Sequence, residues 1–404
     1  MKIAVLCPHF DPDTAPTGVV MSRIVGELVA LGHHVDVYTS LPWYRQHSID
    51  VGWTGKWVRV EATAWGSITR VDPFPGDDKT NLVRRAVGFL GFTALIGWRA
   101  IRGGRVDAVI AMSPPLTMGL TGWLVHLVRR GPLIFNIQDV FPDAAVQTGA
   151  ISNRSIIAVA SWLERLSYRR SAAVTVLSDD LRRNVTAKIG PTRQHRVHVI
   201  PNFVDVDRIV PADRMTSWRH ELGIGDEIVV LYAGNVGFSQ SLDMVIDAAR
   251  RLPEIHFVIN GDGSAKAHVQ SLAAALPNVH LTGYQPIERL VEVLATGDIH
   301  LVPLRAGLGA VSVPSKTYSI LAAGRPVLAS IDPGTEVPRL LDESGAGLSV
   351  PPDNVEAFVA GLQYMVEHPE ETRQMGAAGR RWVQQAMSPA MVASEYVTLI
   401  ESLQ

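Results

Sequence analysis

Residues 311–330, VSVPSKTYSILAAGRPVLAS, combine a loop, a helix and a buried strand in one short segment. Pro314 and Ser315 favour a turn, the residues after them have helical spacing, and Gly324 is a typical helix stop. The apolar run at 327–329 then has the composition of an internal strand. A loop, a helix and a strand in this order form the repeating unit of a parallel α/β sheet.

The same alternation of short apolar runs and amphipathic segments continues along most of the chain. Predicted strands of the first half are KIAVLCP, HVDVYTS, VDAVIAMS, PLIFNIQD, AAVTVLS and RVHVIPN, and those of the second half are EIVVLYAG, IHFVINGDG, VHLTG, DIHLVPL, PVLASI and GLSVPP. We predict two doubly wound, mostly parallel α/β sheets in domains 1–204 and 205–387, with an amphipathic helix at 388–404 that packs back on the first domain. Ligands bind outside the carboxyl ends of such strands, so facing sheets would form an interdomain cleft.

Composition disfavours several functional classes. The chain has 404 residues, 47% of them hydrophobic, which is enough for two cores. A net charge of −2 disfavours nucleic-acid binding, which requires a basic surface. Cys7 is the single cysteine, so no disulfide can form within the chain and a reducing compartment is expected. The N-terminus lacks the pattern of a signal peptide, and we expect a soluble, cytoplasmic protein.

Lys316 is the most informative single residue. It lies between a Pro-Ser turn and a predicted helix start, flanked by the hydroxyls of Ser315 and Thr317. Arg305 follows a neighbouring predicted strand. Two cations beside a helix N-terminus suit a diphosphate, so we predict that Lys316 and Arg305 bind one. The alternative is that Lys316 is an ordinary solvated lysine.

Glycine-rich turns follow two other predicted strands of the second half. Gly234 and Gly237 would let backbone N–H groups approach a ligand, together with Asn235. The Gly261-Asp262-Gly263 turn could hold a base or a ribose through its backbone. Either turn alone is also typical of an ordinary connection between strand and helix, and it is their coincidence at strand ends that favours a ligand site.

Two further patterns concern metals and membranes. The D-x-D sequences at 11–13 and 205–207 are too short to indicate a metal site, and no His or Cys cluster has ligand spacing, so no metal is expected. Residues 80–105 are apolar with arginines at both ends, but the apolar window at 86–98 is shorter than the roughly 20 residues of a membrane-spanning helix. The segment is consistent with a buried helix whose ends reach solvent, or with an interfacial helix that faces anionic lipid.

With these residues identified, the sequence resembles the family 4 glycosyltransferases, whose two Rossmann-like domains form the GT-B fold. It is most similar to the colanic-acid-biosynthesis branch, bacterial enzymes that assemble exopolysaccharide or surface-glycan repeat units. The resemblance covers nearly the whole chain. The stretches that carry it are PHFDPDTAPTG (8–18), NIQDVFPDAAVQTG (136–149), IPNFVD (200–205), YAGNVGFSQSLDMVIDAARRL (232–252), INGDGSAK (259–266), DIHLVPLRAG (298–307), VPSKTYSILAAGRPVLA (313–329) and GLSVPPDNVEAF (347–358).

The resemblance implies a function for these residues. In this family the C-terminal domain binds a nucleotide-activated sugar, so the anion at Lys316 would be the donor diphosphate. Negative charge grows on this leaving group during transfer, and fixed cations stabilise it. Family members typically retain the anomeric configuration, and GT-B enzymes generally need no metal. Asp139 is then the candidate for handling the acceptor hydroxyl, and Gly18 for a close backbone approach to the donor sugar or the acceptor.

The sequence also departs from the family pattern. Two glutamates usually stand eight positions apart before the A-G-x-P-V strand, and here those positions hold Val311 and Ser319. Ser239 and Gln240 occupy the region where a basic pair is common. Such departures are expected of the colanic-acid-like branch, where P-S-K occupies this region. They leave the usual catalytic and sugar-ring contacts unassigned, and Gln240 and Glu336 are our candidates for donor contacts.

The resemblance also implies an acceptor, which is a glycan or a sugar linked to polyprenyl diphosphate at the inner face of the plasma membrane. The predicted docking segment toward an anionic membrane surface is 80–105, with arginines that flank its apolar window at Arg84, Arg85, Arg99, Arg102 and Arg105. Two alternatives use the same architecture. One is a GT-B sugar-nucleotide epimerase with the same diphosphate site, and the other is a catalytically degenerate subunit of glycan assembly.

Overall fold

The chain folds into two compact units, each built on one sheet that is flanked by helices. The structure, a computed structural model, describes residues 1–44, 48–75, 82–147 and 151–404, and only the backbone of residues 82–87. Unit 1 comprises residues 1–202 and 389–404, and unit 2 comprises residues 203–388. The prediction of two doubly wound, mostly parallel α/β sheets is confirmed.

Unit 1 contains an eight-stranded sheet. Its strands are β1 (Lys2–Leu6), β2 (His34–Ser40), β3 (Val58–Thr63), β4 (Gly66–Val71), β5 (Ala108–Ser113), β6 (Leu133–Ile137), β7 (Ala173–Val176) and β8 (Val197–Val199). They pair in the order β3-β4-β2-β1-β5-β6-β7-β8, and every pair is parallel except β3–β4. The helices are α1 (Pro16–Ala30), α2 (Leu82–Ala100), α3 (Thr117–Arg129), α4 (Asp143–Gln147), α5 (Arg154–Arg170) and α6 (Asp179–Ile189), with a 3₁₀ turn at Pro191–Arg196.

Unit 2 contains a six-stranded parallel sheet. Its strands are β9 (Val229–Ala233), β10 (His256–Asn260), β11 (Val279–Thr282), β12 (Ile299–Pro303), β13 (Val327–Ser330) and β14 (Gly347–Val350), paired in the order β11-β10-β9-β12-β13-β14. The helices are α7 (Ser217–Glu221), α8 (Leu242–Arg251), α9 (Lys266–Ala273), α10 (Leu290–Thr296), α11 (Lys316–Ala322), α12 (Glu336–Ser344), α13 (Val355–Glu367) and α14 (Pro369–Ala386), with a 3₁₀ turn at Ile287–Arg289. The final helix, α15 (Pro389–Ser402), belongs to unit 1 and packs on α1.

The burial of the central strands explains why they could be predicted from the sequence. Strands β5, β6 and β7 are buried along their whole length, as expected for parallel strands that are covered on both faces. Such strands appear in a sequence as uninterrupted apolar runs between turn residues. The hairpin of β3 and β4 was not predicted. β3 is an edge strand with no buried residue, and its alternation of polar and apolar residues contains no apolar run.

Helix α2 combines features of both interpretations offered for residues 80–105. Phe92, Ile96 and Ala100 are buried, and the helix packs on α3 and on the sheet. Leu90 and Trp98 on the same helix are 57% and 48% exposed. The helix is therefore part of the core on one side and leaves apolar side chains in solvent on the other. Across the residues that the structure describes, no helix is both long and apolar enough to cross a membrane.

The two loops that follow β9 and β10 are joined so closely that one position between them excludes a side chain. The Gly234 N–H donates to the Asn260 carbonyl, and the Val236 N–H donates to the Asp262 carbonyl, both at 2.9 Å. A Cβ added to Gly261 would lie 1.9 Å from the Gly234 carbonyl oxygen. Only a glycine at 261 therefore permits this contact between the loops.

Replacing Gly261 should destabilise unit 2. Gly261→Ala is expected to lower the free energy of unfolding by about 2 kcal/mol or more, because the new methyl group must displace a backbone carbonyl. Gly283→Ala is the matched control, since a Cβ there would have nothing within 4 Å. Urea unfolding followed by circular dichroism measures both. Equal unfolding midpoints for the two variants would contradict the close loop contact.

Candidate functional site

The candidate site lies at the carboxyl edge of the sheet in unit 2, where the strand order reverses. β9 and β12 are neighbours there, although β10 and β11 separate them in sequence. Loops that leave such a pair diverge and open a crevice, which is where ligands bind in α/β sheets. The structure has a pocket of about 230 Å³ at this edge, lined among others by Ala233, Gly234, Asn260, Tyr284, Pro286, Leu290, His300, Lys316, Ser319 and Ile320.

Lys316 supplies the ammonium group of this pocket. It is the first residue of α11, and its Nζ lies 3.8 Å from the ring centroid of Tyr232, a cation–π distance. Burial lowers the pKa of Lys316 to about 7. No carboxylate is paired with this ammonium in the described ranges of the chain. The pocket thus contains a cation without a counter-ion, and a bound anion would supply one.

Tyr232 and Gly234 hold the lysine in this place. Tyr232 is fully buried at the end of β9, and its hydroxyl donates to the Asn235 carbonyl at 2.6 Å. Gly234 has a φ of 151°, and a Cβ on it would lie 3.1 Å from Lys316 Nζ. The sequence analysis named Gly234 but not Tyr232, whose available signal is an aromatic residue shortly before the glycine turn.

In the turn after Gly234, one side chain that was predicted to bind the donor forms a hydrogen bond within the turn instead. The Gly237 N–H donates to Gln240 Oε1 at 3.1 Å, so the Gln240 side chain closes the turn. Asn235 is exposed beside it. A ligand that binds the Gly237 N–H must therefore displace Gln240 first.

The Gly261-Asp262-Gly263 turn supports the pocket rather than lining it. A Cβ on Gly263 would lie 2.4 Å from the Val236 carbonyl oxygen, so this glycine, like Gly261, permits contact between the loops. The Asp262 carboxylate accepts from the Gly263 N–H at 2.7 Å and lies 3.4 Å from the Lys266 ammonium. None of the three residues is among those that line the pocket.

Arg305 is placed on a well-supported loop but not in the pocket. Its side chain is exposed, and its backbone N–H donates to the Ser239 carbonyl at 2.9 Å. Two carboxylates that the sequence analysis missed brace the residues after it. Asp332 accepts from the N–H groups of Gly307 and Gly309, and Asp353 from that of Ala306, all at 2.9 Å. Arg305 is not among the residues that line the pocket with Lys316, so their joint contact with a diphosphate stays a prediction.

Three other predicted donor contacts have different surroundings. Ser315 is exposed immediately before α11. Thr317 is 1% exposed and its hydroxyl donates to the Pro314 carbonyl at 2.9 Å, so this hydroxyl stabilises the turn instead of facing the pocket. Glu336 opens α12, forms an ion pair with Arg339 at 2.9 Å, and is outside the pocket lining. Burial raises the pKa of Tyr318, and the negative charge of Glu336 raises it further.

The two positions where the family has glutamates differ in their surroundings. Ser319 lines the pocket, whereas Val311 is 1% exposed and belongs to the core. A carboxylate at 311 would be buried in apolar surroundings, which is costly without a partner. The loss of both glutamates therefore leaves one hydroxyl in the pocket and one closely packed apolar side chain.

The predicted residues of unit 1 lie at the carboxyl edge of its own sheet. Gly18 is in the first turn of α1, where a Cβ would lie 2.8 Å from the Cβ of His9. The close approach at Gly18 is therefore to the loop that follows β1. Asp139 is half-buried, two residues after the end of β6.

Both D-x-D sequences are used within the fold. The Asp13 carboxylate bonds to the His9 ring, and Asp205 Oδ1 accepts from the N–H groups of Asp207 and Arg208 at 3.2 and 3.0 Å. In the part of the chain that the structure describes, no group of three or more His, Cys, Asp or Glu side chains is arranged to hold a metal ion.

Comparison with known families and proteins agrees with the resemblance found in the sequence. The profile of the glycosyl transferase 4-like domain matches residues 17–202, and that of the glycosyl transferases group 1 matches residues 227–368. A protein of Escherichia coli (strain K12) named as a colanic acid biosynthesis glycosyl transferase, WcaI, is 26% identical over 98% of this chain and 99% of its own length. An alpha-D-kanosaminyltransferase of Streptomyces kanamyceticus is 28% identical over 54% of this chain and 57% of its own.

Solved structures show the same fold. The sucrose-phosphate synthase of Thermosynechococcus elongatus has a TM-score of 0.75 at 18% identity, covering 100% of this chain and 99% of that one. Anabaena HepE in complex with UDP-glucose has a TM-score of 0.73 at 14% identity, covering 100% of both chains. At these identities the likeness establishes architecture alone. From its two matched domains and its two-sheet architecture, the chain combines a glycosyl transferase 4-like domain with a domain of the glycosyl transferases group 1, and it is a glycosyltransferase with the GT-B fold.

Proposed function

We propose that the protein is a retaining glycosyltransferase of surface-glycan or exopolysaccharide synthesis. It would move a sugar from a nucleotide diphosphate donor to a glycan or a lipid-linked acceptor. The observation that carries the proposal is the ammonium of Lys316, which has no counter-ion and lies above Tyr232 at the strand-order reversal of unit 2. The name of the E. coli relative refers to colanic acid biosynthesis, and HepE was solved with UDP-glucose, which supports this choice of pathway and donor.

In this mechanism Lys316 acts on the leaving group. The bond between the anomeric carbon and the diphosphate oxygen breaks, and negative charge grows on the diphosphate. An approaching anion favours the protonated form of a lysine whose pKa burial lowers to about 7. The ammonium is then fully charged when the leaving group most needs stabilisation. The exposed guanidinium of Arg305 and the Ser315 hydroxyl would add contacts to the same phosphates.

Other donor and acceptor contacts follow from the same placement. The sugar ring would meet the Ser319 hydroxyl where the family pattern has a carboxylate. Transfer would proceed without a metal, in keeping with the internal bonds of both D-x-D sequences. On the side of unit 1, Asp139 would accept a hydrogen bond from the acceptor hydroxyl.

A donor panel tests the proposal. The purified chain is incubated with UDP-, GDP- and dTDP-sugars, with and without membrane-extracted lipid-linked acceptor, and products are separated by chromatography. Release of nucleoside diphosphate that depends on acceptor, together with a glycosylated acceptor, supports a transferase. A new nucleotide sugar without transfer would indicate an epimerase. No product with any donor would indicate a non-catalytic subunit. The configuration of the new linkage tests retention.

Removing the ammonium of Lys316 should impair transfer. Lys316→Ala is expected to lower kcat/KM more than about tenfold, because a contact that strengthens in the transition state is lost. The control is Lys56→Ala, which removes an exposed lysine of unit 1. Steady-state kinetics with the selected donor measure both variants. Undiminished kcat/KM in Lys316→Ala would show that the diphosphate does not bind there.

We also propose that unit 1 docks on an anionic membrane surface on the cytoplasmic side. α3 packs against both α2 and α5, and the outer surface of these three helices is here called the three-helix face. Its large exposed apolar side chains are Leu90, Trp98, Leu124, Leu127, Val128, Ile156, Val159 and Trp162. An exposed apolar surface of this extent is typical of an interaction site.

The charge of the three-helix face points to anionic lipid as its partner. α2, α3 and α5 together contain eight arginines, of which Arg129 is buried beside Asp36, and one acidic residue, Glu164, which is buried and bonded to Lys188. Arg102 lies 3.6 Å above the Trp98 ring, and Arg170 lies 4.6 Å from the Trp123 ring centroid. Apolar side chains with arginines around them match the boundary between headgroups and acyl chains. The side chains of the predicted Arg84 and Arg85 lie outside the described residues.

A charge placed on the three-helix face should weaken membrane binding. Leu127→Asp is expected to reduce sedimentation with anionic liposomes several-fold, because an apolar contact is replaced by a charge that the surface repels. Leu31→Asp is the control, since Leu31 is similarly exposed (51% against 54%) but directly follows α1. Wild-type protein should sediment with anionic vesicles, less so at high salt, and should remain in the supernatant with neutral vesicles. Equal recovery with both lipids would exclude this docking mode.

A further inference from the structure

A histidine in unit 1 occupies the position that matches the lysine pocket of unit 2. The strand order of unit 1 reverses between β1 and β5, and His9 lies in the loop that leaves β1. This loop is held on two sides. The buried Ser40 hydroxyl donates to the Pro8 carbonyl at 2.7 Å. Gly18 of α1 packs directly against His9, since a Cβ on Gly18 would lie 2.8 Å from the His9 Cβ. The backbone of His9 is therefore fixed at the crevice where a ligand of this sheet is expected.

The ring of His9 is also fixed. Its Nδ1 lies 2.6 Å from Asp13 Oδ2, and the Asp13 side chain is 2% exposed. The other oxygen of Asp13 accepts from the Tyr44 N–H at 3.2 Å, so the carboxylate cannot rotate freely. The ring stacks on Trp43 with centroids 5.7 Å apart and meets the edge of Tyr44 at 5.4 Å. A buried carboxylate and two aromatic rings thus set a single orientation of the imidazole.

This arrangement leaves the second ring nitrogen available. A carboxylate beside Nδ1 favours the tautomer with the proton on Nδ1, so Nε2 carries a lone pair. Nε2 has no hydrogen-bond partner among the residues that the structure describes. The titratable groups that contact the ring there are Asp13 and Tyr44. A histidine with an oriented Nδ1–H and an unoccupied Nε2 is equipped to accept a proton, and the resulting imidazolium is stabilised by its carboxylate.

We propose that His9 Nε2 takes the proton of the acceptor hydroxyl during sugar transfer, with Asp13 as a positioning residue. The inference rests on the proposed function. In the step, the acceptor O–H bond breaks and its proton goes to Nε2. The acceptor oxygen forms a bond to the anomeric carbon on the face from which the diphosphate departs, as retention requires. The bond from that carbon to the diphosphate breaks with its electron pair on the diphosphate. The imidazolium then releases the proton to water. Asp139, two strands away in the sheet, would orient the hydroxyl without taking its proton.

The test is the pH dependence of transfer by the full chain and its variants. For wild type, kcat/KM with the selected donor and acceptor should fall as the pH is lowered, since only the neutral ring of a histidine accepts a proton. His9→Gln keeps a polar side chain that cannot take a proton, and should lower kcat/KM by about a hundredfold or more and remove this acid limb. Asp13→Asn should lower kcat/KM less and displace the limb. His34→Gln, a half-exposed histidine at the start of β2, is the control.

Two further readouts separate this role from a structural one. Donor affinity, measured by calorimetry, and the thermal unfolding midpoint should be unchanged in His9→Gln. An acid limb that persists in His9→Gln, or a wild-type profile without an acid limb between pH 5 and 8, would overturn the inference, and the second outcome needs no variant to fold. Absence of any transfer by wild type would overturn the proposed function together with this step. Transfer by wild type with unaltered kinetics in His9→Gln would overturn this step alone.

Discussion

The site depends on one lysine, Lys316, that is half-buried and has no carboxylate partner among the described residues. Moving an ammonium group out of water costs free energy, and the lowered pKa of Lys316 reflects this cost. Attraction to the face of the Tyr232 ring offsets a part of it. Strongly perturbed groups of this kind cluster at functional sites, because a bound ligand can supply the missing charge. A diphosphate fits this requirement, since it brings negative charge that increases as the sugar leaves.

The two units place chemically different side chains at equivalent points of their sheets. Each sheet has a strand-order reversal, between β1 and β5 in unit 1 and between β9 and β12 in unit 2, and each places an oriented side chain beside that reversal. In unit 2 the side chain is a cation that suits a leaving group, and in unit 1 it is an imidazole that suits a hydroxyl. Gly18 packs closely against His9, and Gly234 packs closely against Lys316. A side chain at either glycine would crowd the functional side chain beside it.

Much of the fold was predictable from the sequence, and the reason is the burial of its strands. Twelve apolar runs between turn residues correspond to strands of the two sheets, whereas the edge strand β3 and its partner β4 have no such run. The site was predictable only in part. Lys316 and Gly234 were identified by their place after a turn or a strand. The roles of Thr317 and Gln240 were not, because the sequence does not show whether a polar group faces a ligand or its own turn. Tyr232 and the His9–Asp13 pair were missed because their meaning depends on contacts made by folding.

The most direct test of the central claim is an NMR titration of the lysine side chains. The chain has six lysines, so a sample with isotope-labelled lysine gives few signals, and Lys316→Arg assigns the relevant one. We expect one lysine to titrate near pH 7 in the absence of ligand, and its pKa to rise when the selected nucleotide sugar binds. If all six lysines titrate near the ordinary value of about 10.4, and none responds to the nucleotide sugar, Lys316 is not the group that binds a diphosphate.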